Sequence, residues 1–328
     1  MKSLDQYWNS LNLVSVLLLP LSGIFCLLAK FRKFLFDTGF LHRYQSPVPV
    51  VIVGNISVGG TGKTPLLIAL VQQLQQAGVK PGVISRGYGG QSTVWPQRVV
   101  STSTAEQVGD EPVLIFQRTG CPIVVGPDRK QDIELLLKSY ACDLILSDDG
   151  MQHYALQRDK EIAVVDVSRQ FGNGFCLPSG PLREPVNRLL TVDLVLINGG
   201  AKEENAFNLK NSNCYAVSDL LDESCALATF SGHKVHAVAG IGNPQRFFDM
   251  LIEQGIDVIP HVFADHYRYD IDDVQFNDNY PVLMTEKDAV KCHSFDLHNH
   301  WAVRVDAVLT DTAQKNINQL FKELQTQV

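Results

Sequence analysis

The chain opens on a block of apolar residues and then settles into short apolar bursts separated by polar turns. From Leu11 to Ala29 the run "LNLVSVLLLPLSGIFCLLA" is almost unbroken. A helix of that length would reach ~28 Å, close to the hydrocarbon thickness of a bilayer. Asn12, Ser15 and Ser22 dilute the run, and Pro20 is expected to kink it. Beyond Pro20, Ile24, Leu28, Phe31 and Leu35 fall on one stripe, beside a basic cluster of Lys30, Arg32 and Lys33. This pattern predicts a membrane-associated helix over residues 1–40, lying at the lipid surface with its cations toward anionic headgroups. The competing reading is a helical hairpin packed on the core. A cleaved signal peptide fits poorly, because the start is weakly basic and no small-residue cleavage site follows.

From residue 48 a unit repeats: a β-branched run, a turn, a helical pattern. Strands are predicted at 48–55, 80–86, 121–126, 142–149, 161–167 and 192–198, with helices over "TPLLIALVQQLQQAG" and "DRKQDIELLLKSYA". Strands apolar nearly throughout are those covered on both faces, so the reading is a doubly wound parallel sheet over 41–212. A second series at 233–240, 257–263, 280–288 and 301–305 alternates with "PQRFFDMLIEQG" and a final helix. It predicts a smaller α/β domain over 213–328. The polar stretch "GGAKEENAFNLKNSNC" is the expected boundary.

Composition narrows the class. Of 328 residues 45% are hydrophobic and 19% charged, which indicates a folded protein with a large core. A net charge of −7 argues against a nucleic-acid partner, since phosphate backbones attract basic surfaces. Seven scattered cysteines without a Cys-x-x-Cys pair exclude a zinc knuckle and point to reduced, mostly buried thiols.

Chemistry concentrates first in "SVGGTGKT". Ser57, Val58, Gly59, Gly60, Thr61, Gly62, Lys63 and Thr64 follow a strand and open a helix. Glycines let backbone N–H groups turn inward around an anion, Lys63 can neutralise β- and γ-phosphate oxygens, and Thr64 offers a hydroxyl to Mg²⁺. The usual motif has glycine where Ser57 stands; Gly59 and Gly60 supply compensating freedom. In "LILSDDGMQH" an apolar run ends in Asp148 and Asp149, at the sheet edge where a Mg²⁺-coordinating acid belongs. No Asn-Lys-x-Asp guanine sequence occurs, so adenine is the expected base. "TEKD" at 285–288 reads as a strand end capping a helix, and "GIGNPQRF" as a helix start capped by Asn243. By residues alone, "VGDEP" is a turn leading into a helix.

Taken in order, "GNISVGGTGKTP", "SRGYGG", "VGDEP", "SDDGMQH", "PLREP" and "ADHYRY" behind an apolar, basic amino terminus resemble the tetraacyldisaccharide 4′-kinase family of bacterial lipid A biosynthesis. The resemblance spans essentially the whole chain. It implies a P-loop kinase that uses ATP and Mg²⁺ to phosphorylate the 4′-hydroxyl of a tetraacyldisaccharide 1-phosphate. It also implies work at the cytoplasmic face of the inner membrane of Gram-negative bacteria, held there peripherally or monotopically, with no obligate protein partner. It places the base at Asp110 with His266 as its partner. Glu184 joins Thr64 and Asp149 around Mg²⁺, with Asp148, Gln152 and His153 nearby. Arg86 and Arg183 are candidates for contacts to phosphate of ATP or lipid. The alternative is a P-loop nucleotide switch or metallochaperone-type GTPase, which would prefer guanine and need a partner protein.

Overall fold

The computed structural model describes residues 7–202, 204–211, 213–218 and 224–325. The ends of the predicted first and last segments, 1–6 and 326–328, lie outside the described residues. Two helices come first, α1 (Leu13–Leu17) and α2 (Leu19–Asp37). Pro20 does not kink a continuous helix. It occupies the first turn of α2, where its missing N–H has no helical partner to lose.

The larger lobe is built on β1 (Val50–Gly54), β2 (Pro81–Ser85), β3 (Gln97–Val99), β4 (Ile123–Val125), β5 (Leu144–Asp148), β6 (Lys160–Asp166), β7 (Leu194–Asn198) and β8 (Ala206–Lys210). Around it pack α3 (Lys63–Gln76), α4 (Ala105–Val108), α5 (Asp110–Thr119) and α6 (Arg129–Ser139). Every residue of β1, β2 and β5 is buried, as strands covered on both faces require. Val51 and Val53 pack into one core with Leu66 and Leu70 of α3, and Val50 and Ile52 into another with Ile133 and Leu136 of α6. The period-two alternation of β1 therefore feeds both cores.

The smaller lobe carries β9 (Asn213–Ala216), β10 (Ser224–Ala226), β11 (Lys234–Ala239), β12 (Asp257–Val262), β13 (Val282–Thr285) and β14 (His300–Val303), with α7 (Pro244–Glu253), α8 (Ile271–Val274) and α9 (Glu286–Cys292). The chain then returns to the larger lobe. β15 (Asp306–Leu309) pairs antiparallel with β8, and α10 (Asp311–Gln325) sends Ala313, Ile317, Leu320, Phe321 and Leu324 into the first core. Among the described residues the larger sheet runs β15-β8-β7-β6-β1-β5-β2-β4-β3, parallel except for β15 and β3, and the smaller β10-β9-β14-β13-β11-β12.

Two expectations change here. The last twenty or so residues do not stay with 213–328, because their apolar stripe is buried against α3 and the larger sheet. The polar boundary stretch contains β8, whose Phe207 is fully buried. One aromatic in a polar run is enough to anchor a strand next to the sheet edge.

Candidate active site

One cleft of about 1890 Å³ lies between the lobes, over the carboxyl ends of β1, β5, β6 and β7. The predicted phosphate loop forms its floor. Gly62 adopts φ +87° and immediately precedes α3, so Lys63 and Thr64 sit in the first helical turn. A side chain at Gly62 would meet the Asn198 amide at 2.7 Å, and the φ itself favours glycine. Asn198 donates to the Thr61 carbonyl (3.1 Å) and Asn55 to the Thr61 hydroxyl (3.3 Å), pinning the loop from behind. Ser57 forms an isolated bridge with Leu182, and the Val58 N–H donates to the Pro181 carbonyl, so the loop's first half leans on the "PLREP" segment.

Three carboxylates face this floor. The Thr64 hydroxyl donates to Glu111 (3.1 Å), which also pairs with Lys287 from the smaller lobe. Asp149, at φ +48°, lies 3.7 Å from the Lys63 ammonium and accepts from Arg183 at 2.8 Å. Burial works against ionising Asp149 and Glu111. Lys63 and Arg183 outweigh it at Asp149, Lys287 and Lys63 at Glu111, and both carboxyls are held below their ordinary values. Asp148 is different: burial, with Glu111 and Asp149 close by, pushes it up to about 7. Ser85 donates to one Asp148 oxygen (3.1 Å); the other, like Oδ1 of Asp149, is buried without a hydrogen-bond partner.

The sixth motif closes the cleft from the smaller lobe. His266, at φ +58°, places Nδ1 3.0 Å from Oδ2 of Asp110. The other Asp110 oxygen accepts from the Glu111 N–H (2.8 Å). Burial raises the Asp110 carboxyl, but the His266 hydrogen bond and the Lys287 ammonium prevail and hold it below the usual carboxylate range. The same hydrogen bond raises His266 above its ordinary value. The exposed Tyr88 ring of "SRGYGG" packs edge-on against His266 at 4.9 Å.

Glu184 borders the cleft behind Gln152. Its carboxylate accepts from Tyr154 and from Gln152 (2.9 Å) and lies 3.6 Å from Arg188. Both oxygens are engaged, and the Thr64 hydroxyl turns to Glu111 instead. Glu184 thus buttresses Gln152, which lies 3.5 Å from Arg183. His153 also borders the cleft; burial and three arginines lower its pKa to about 4, so its ring stays neutral. Arg86 is exposed on the rim, whereas Arg183 is committed to Asp149. The residues that sequence reasoning missed are Glu111, Lys287, Asp166, Arg169 and Asn198. Glu111 stood beside Asp110 in the same motif, and Lys287 stood in "TEKD", read only as a cap. Thr285 does cap α9 there, accepting from the Asp288 N–H.

The oxygen set suits a hard cation. Thr64, Glu111, Asp148 and Asp149 offer a hydroxyl and carboxylates, two of them with orphaned buried oxygens. Among the described residues no three acidic, histidine or cysteine groups converge as a cage. Magnesium is ordinarily held by one or two carboxylates plus substrate phosphates, so the fit is to a shared site.

The sequence profile of the family tetraacyldisaccharide-1-P 4′-kinase matches residues 14–324. The chain belongs to that family. Relatives named tetraacyldisaccharide 4′-kinase include one from Nitrosococcus oceani, 50% identical over 319 residues, covering 97% of this chain and 94% of the relative. Another, from Hahella chejuensis, is 46% identical over 330 residues, covering 98% and 97%. The crystal structure of Aquifex aeolicus LpxK, titled an "apo" form in complex with ATP, superposes with a TM-score of 0.78 at 26% identity, covering 95% of this chain and 99% of that one. This tetraacyldisaccharide-1-P 4′-kinase family member is therefore a phosphotransferase, with the expected α/β architecture. No helix among its described residues is long and apolar enough to cross a membrane.

Proposed function

We propose that the chain transfers the γ-phosphoryl group of ATP, with Mg²⁺, to the 4′-hydroxyl of a tetraacyldisaccharide 1-phosphate at a membrane surface. The observation that carries this reading is the convergence, in one cleft, of the phosphate loop, its carboxylates and the Asp110–His266 pair from opposite lobes. Backbone amides of Gly59 to Gly62 hold the phosphates, and Lys63 turns from Asp149 toward the β- and γ-oxygens. Mg²⁺, when bound, would draw negative charge from those oxygens; Thr64 with Asp149 or Glu111 would hold it. The sugar hydroxyl is far too weak an acid to ionise in water. Asp110, ionised and fixed by His266, takes its proton as the new O–P bond forms, and ADP leaves with the electrons of the broken bond. Arg86, free on the rim, contacts an acceptor phosphate; Arg183 reaches one only by releasing Asp149.

The lipid acceptor also gives the amino-terminal helices a purpose. A hydroxyl at headgroup level is reached by an enzyme docked on the surface, with no need to extract acyl chains. We propose accordingly that the protein works peripherally or monotopically at the cytoplasmic face of the inner membrane.

Purified protein incubated with γ-phosphate-labelled ATP, magnesium and membrane lipid extracts should yield a labelled acidic glycolipid on chromatography. Label that reaches only inorganic phosphate, or stays with the nucleotide, overturns the reading. A guanine-dependent switch would instead show label transfer to no lipid and competition by GTP over ATP.

A further inference from the structure

Three of the cations around the phosphate loop are already spoken for. Lys63 and Arg183 face Asp149, and Lys287 pairs with Glu111. A phosphoryl group in flight spreads charge over three oxygens, and stabilising that charge is most of what such a site does. Arg169 is placed to supply what the paired cations do not.

Its position begins at the end of β6. Asp166 is buried, and one of its oxygens accepts from the N–H groups of Ser168 (2.9 Å) and Arg169 (3.2 Å) and from the Ser168 hydroxyl (2.5 Å). Its other oxygen accepts from Asn198, the residue that pins Thr61, and from Arg246. The backbone of Arg169 is thus tied to the same buried group that steadies the phosphate loop. The side chain then reaches over that loop. A Cβ built on Gly59 would collide with Nη1 of Arg169. Nη2 donates to the Gly242 carbonyl of the smaller lobe at 3.1 Å. Gly242 itself lies against the loop: a Cβ there would stand 3.8 Å from the Gly60 nitrogen. Among the described residues no carboxylate comes within ion-pair distance of Arg169. The guanidinium therefore lies along the glycine loop, bonded to a neutral carbonyl, with its charge uncompensated where an anion is to be cradled.

We propose that Arg169 is a further catalytic residue, an arginine supplied in cis that bonds the transferring phosphoryl group and is held over Gly59 by the smaller lobe through Gly242. The proposal rests on the phosphoryl-transfer reading above. It accounts for glycine at position 59, where any side chain would displace the guanidinium. It also ties catalysis to closure, since the carbonyl that holds Arg169 belongs to the lobe that brings His266.

The test compares wild type, Arg169→Ala, Arg169→Gln and Arg169→Lys in the labelled-lipid assay, with ATP affinity read separately by displacement of a fluorescent nucleotide. Removal of the guanidinium should lower kcat by ~100-fold or more, the scale found for one transition-state donor or an arginine finger. ATP affinity should change far less than the rate. Added guanidinium ion should restore part of kcat to Arg169→Ala and none to wild type, which a merely structural arginine would not allow. Arg169→Gln serves the same purpose if the alanine variant does not fold, and Arg169→Lys should keep only a fraction of the rate because lysine lacks the planar fork. Wild-type transfer with the Arg169 variants within threefold in kcat overturns this inference alone, as does a rate loss matched by an equal loss of ATP affinity. A wild-type protein that labels no lipid overturns the proposed reaction, and this inference falls with it.

Discussion

Asp110 and His266 are 156 positions apart in the chain and 3.0 Å apart in space. Each depends on the other for its protonation state, and that gives a pH test. Asp110 is only 4% exposed, so burial alone would raise its carboxyl; the His266 hydrogen bond is the largest influence lowering it. Its folded pKa is therefore depressed, and Asp110 stays ionised until pH falls below the ordinary carboxylate range. The acid limb of the kcat–pH profile should lie there in wild type. In His266→Ala the largest influence lowering the Asp110 carboxyl is gone, so the limb should move upward, and turnover should fall while ATP affinity stays near normal. A wild-type limb above 6.5 would instead mark His266, whose own pKa is raised, as the proton acceptor. Lys63→Ala should cost about 3 kcal/mol of transition-state stabilisation, read as a ~100-fold or greater loss in kcat/KM. At this scale the sequence was legible where chemistry is local. Lys63, Thr64, Asp148 and Asp149 stand in contiguous motifs beside strand ends. The partners of Glu184, Tyr154 and Arg188, were not legible, because packing sets them and no spacing reveals it. Arg169 was invisible for the same reason, since only the fold sets it over Gly59.

The amino-terminal helices show what one element can carry. Their two serines face the protein, while much of their apolar surface faces out. Ser15 and Ser22 are 1% and 5% exposed; the Ser22 hydroxyl donates to the Cys176 carbonyl, and the Ser15 carbonyl accepts from Ser179. Leu17, Leu21, Ile24, Leu28 and Phe31 are all more than half exposed and follow one another at helical spacing. This inverts the usual arrangement, and an apolar stripe of that length signals contact with another apolar phase. Of the predicted stripe, Ile24, Leu28 and Phe31 face outward and Leu35 is half-buried, and Phe36 beside it turns inward against Tyr154. Burying one such side chain contributes about 1.5–3 kcal/mol. Leu21→Asp with Ile24→Asp should therefore lower partitioning onto anionic phospholipid vesicles at least ~100-fold in a flotation assay. ATP affinity in detergent-free buffer should be unchanged, because neither residue supports the phosphate loop. Equal flotation of variant and wild type would assign the stripe to some other surface.

At the scale of the molecule, the alternation of strand and helix was legible because parallel strands buried on both faces read as plain apolar runs. The short strands at or next to the sheet edges, β3, β8, β9, β10 and β15, were not, since pairing rather than pattern defines them. The return of the chain to the larger lobe was hidden for that reason, and it adds to the contacts that join the lobes. Arg118, in the last turn of α5, donates to both oxygens of Glu286 at 2.7 and 3.0 Å and pairs with Asp306 of β15. Glu286 opens α9 of the smaller lobe and also accepts from the Val305 N–H (2.8 Å) and the Tyr215 hydroxyl (3.3 Å). Both members of the ion pair are buried or nearly so. Arg118→Ala would leave a buried carboxylate without its cation, which typically costs 3–5 kcal/mol, read as a lower midpoint of chemical denaturation. Burial already raises the Glu286 pKa, and without Arg118 it should rise further. An acid whose folded pKa exceeds its unfolded value loses stability as pH climbs through the interval between them. The deficit of Arg118→Ala should therefore be greatest at neutral pH and should shrink as pH falls toward the ordinary glutamate value. Adding Glu286→Gln removes the orphaned charge and should recover part of the loss at neutral pH, leaving little pH dependence. A deficit independent of pH in Arg118→Ala would mean that the arginine joins the lobes by packing alone.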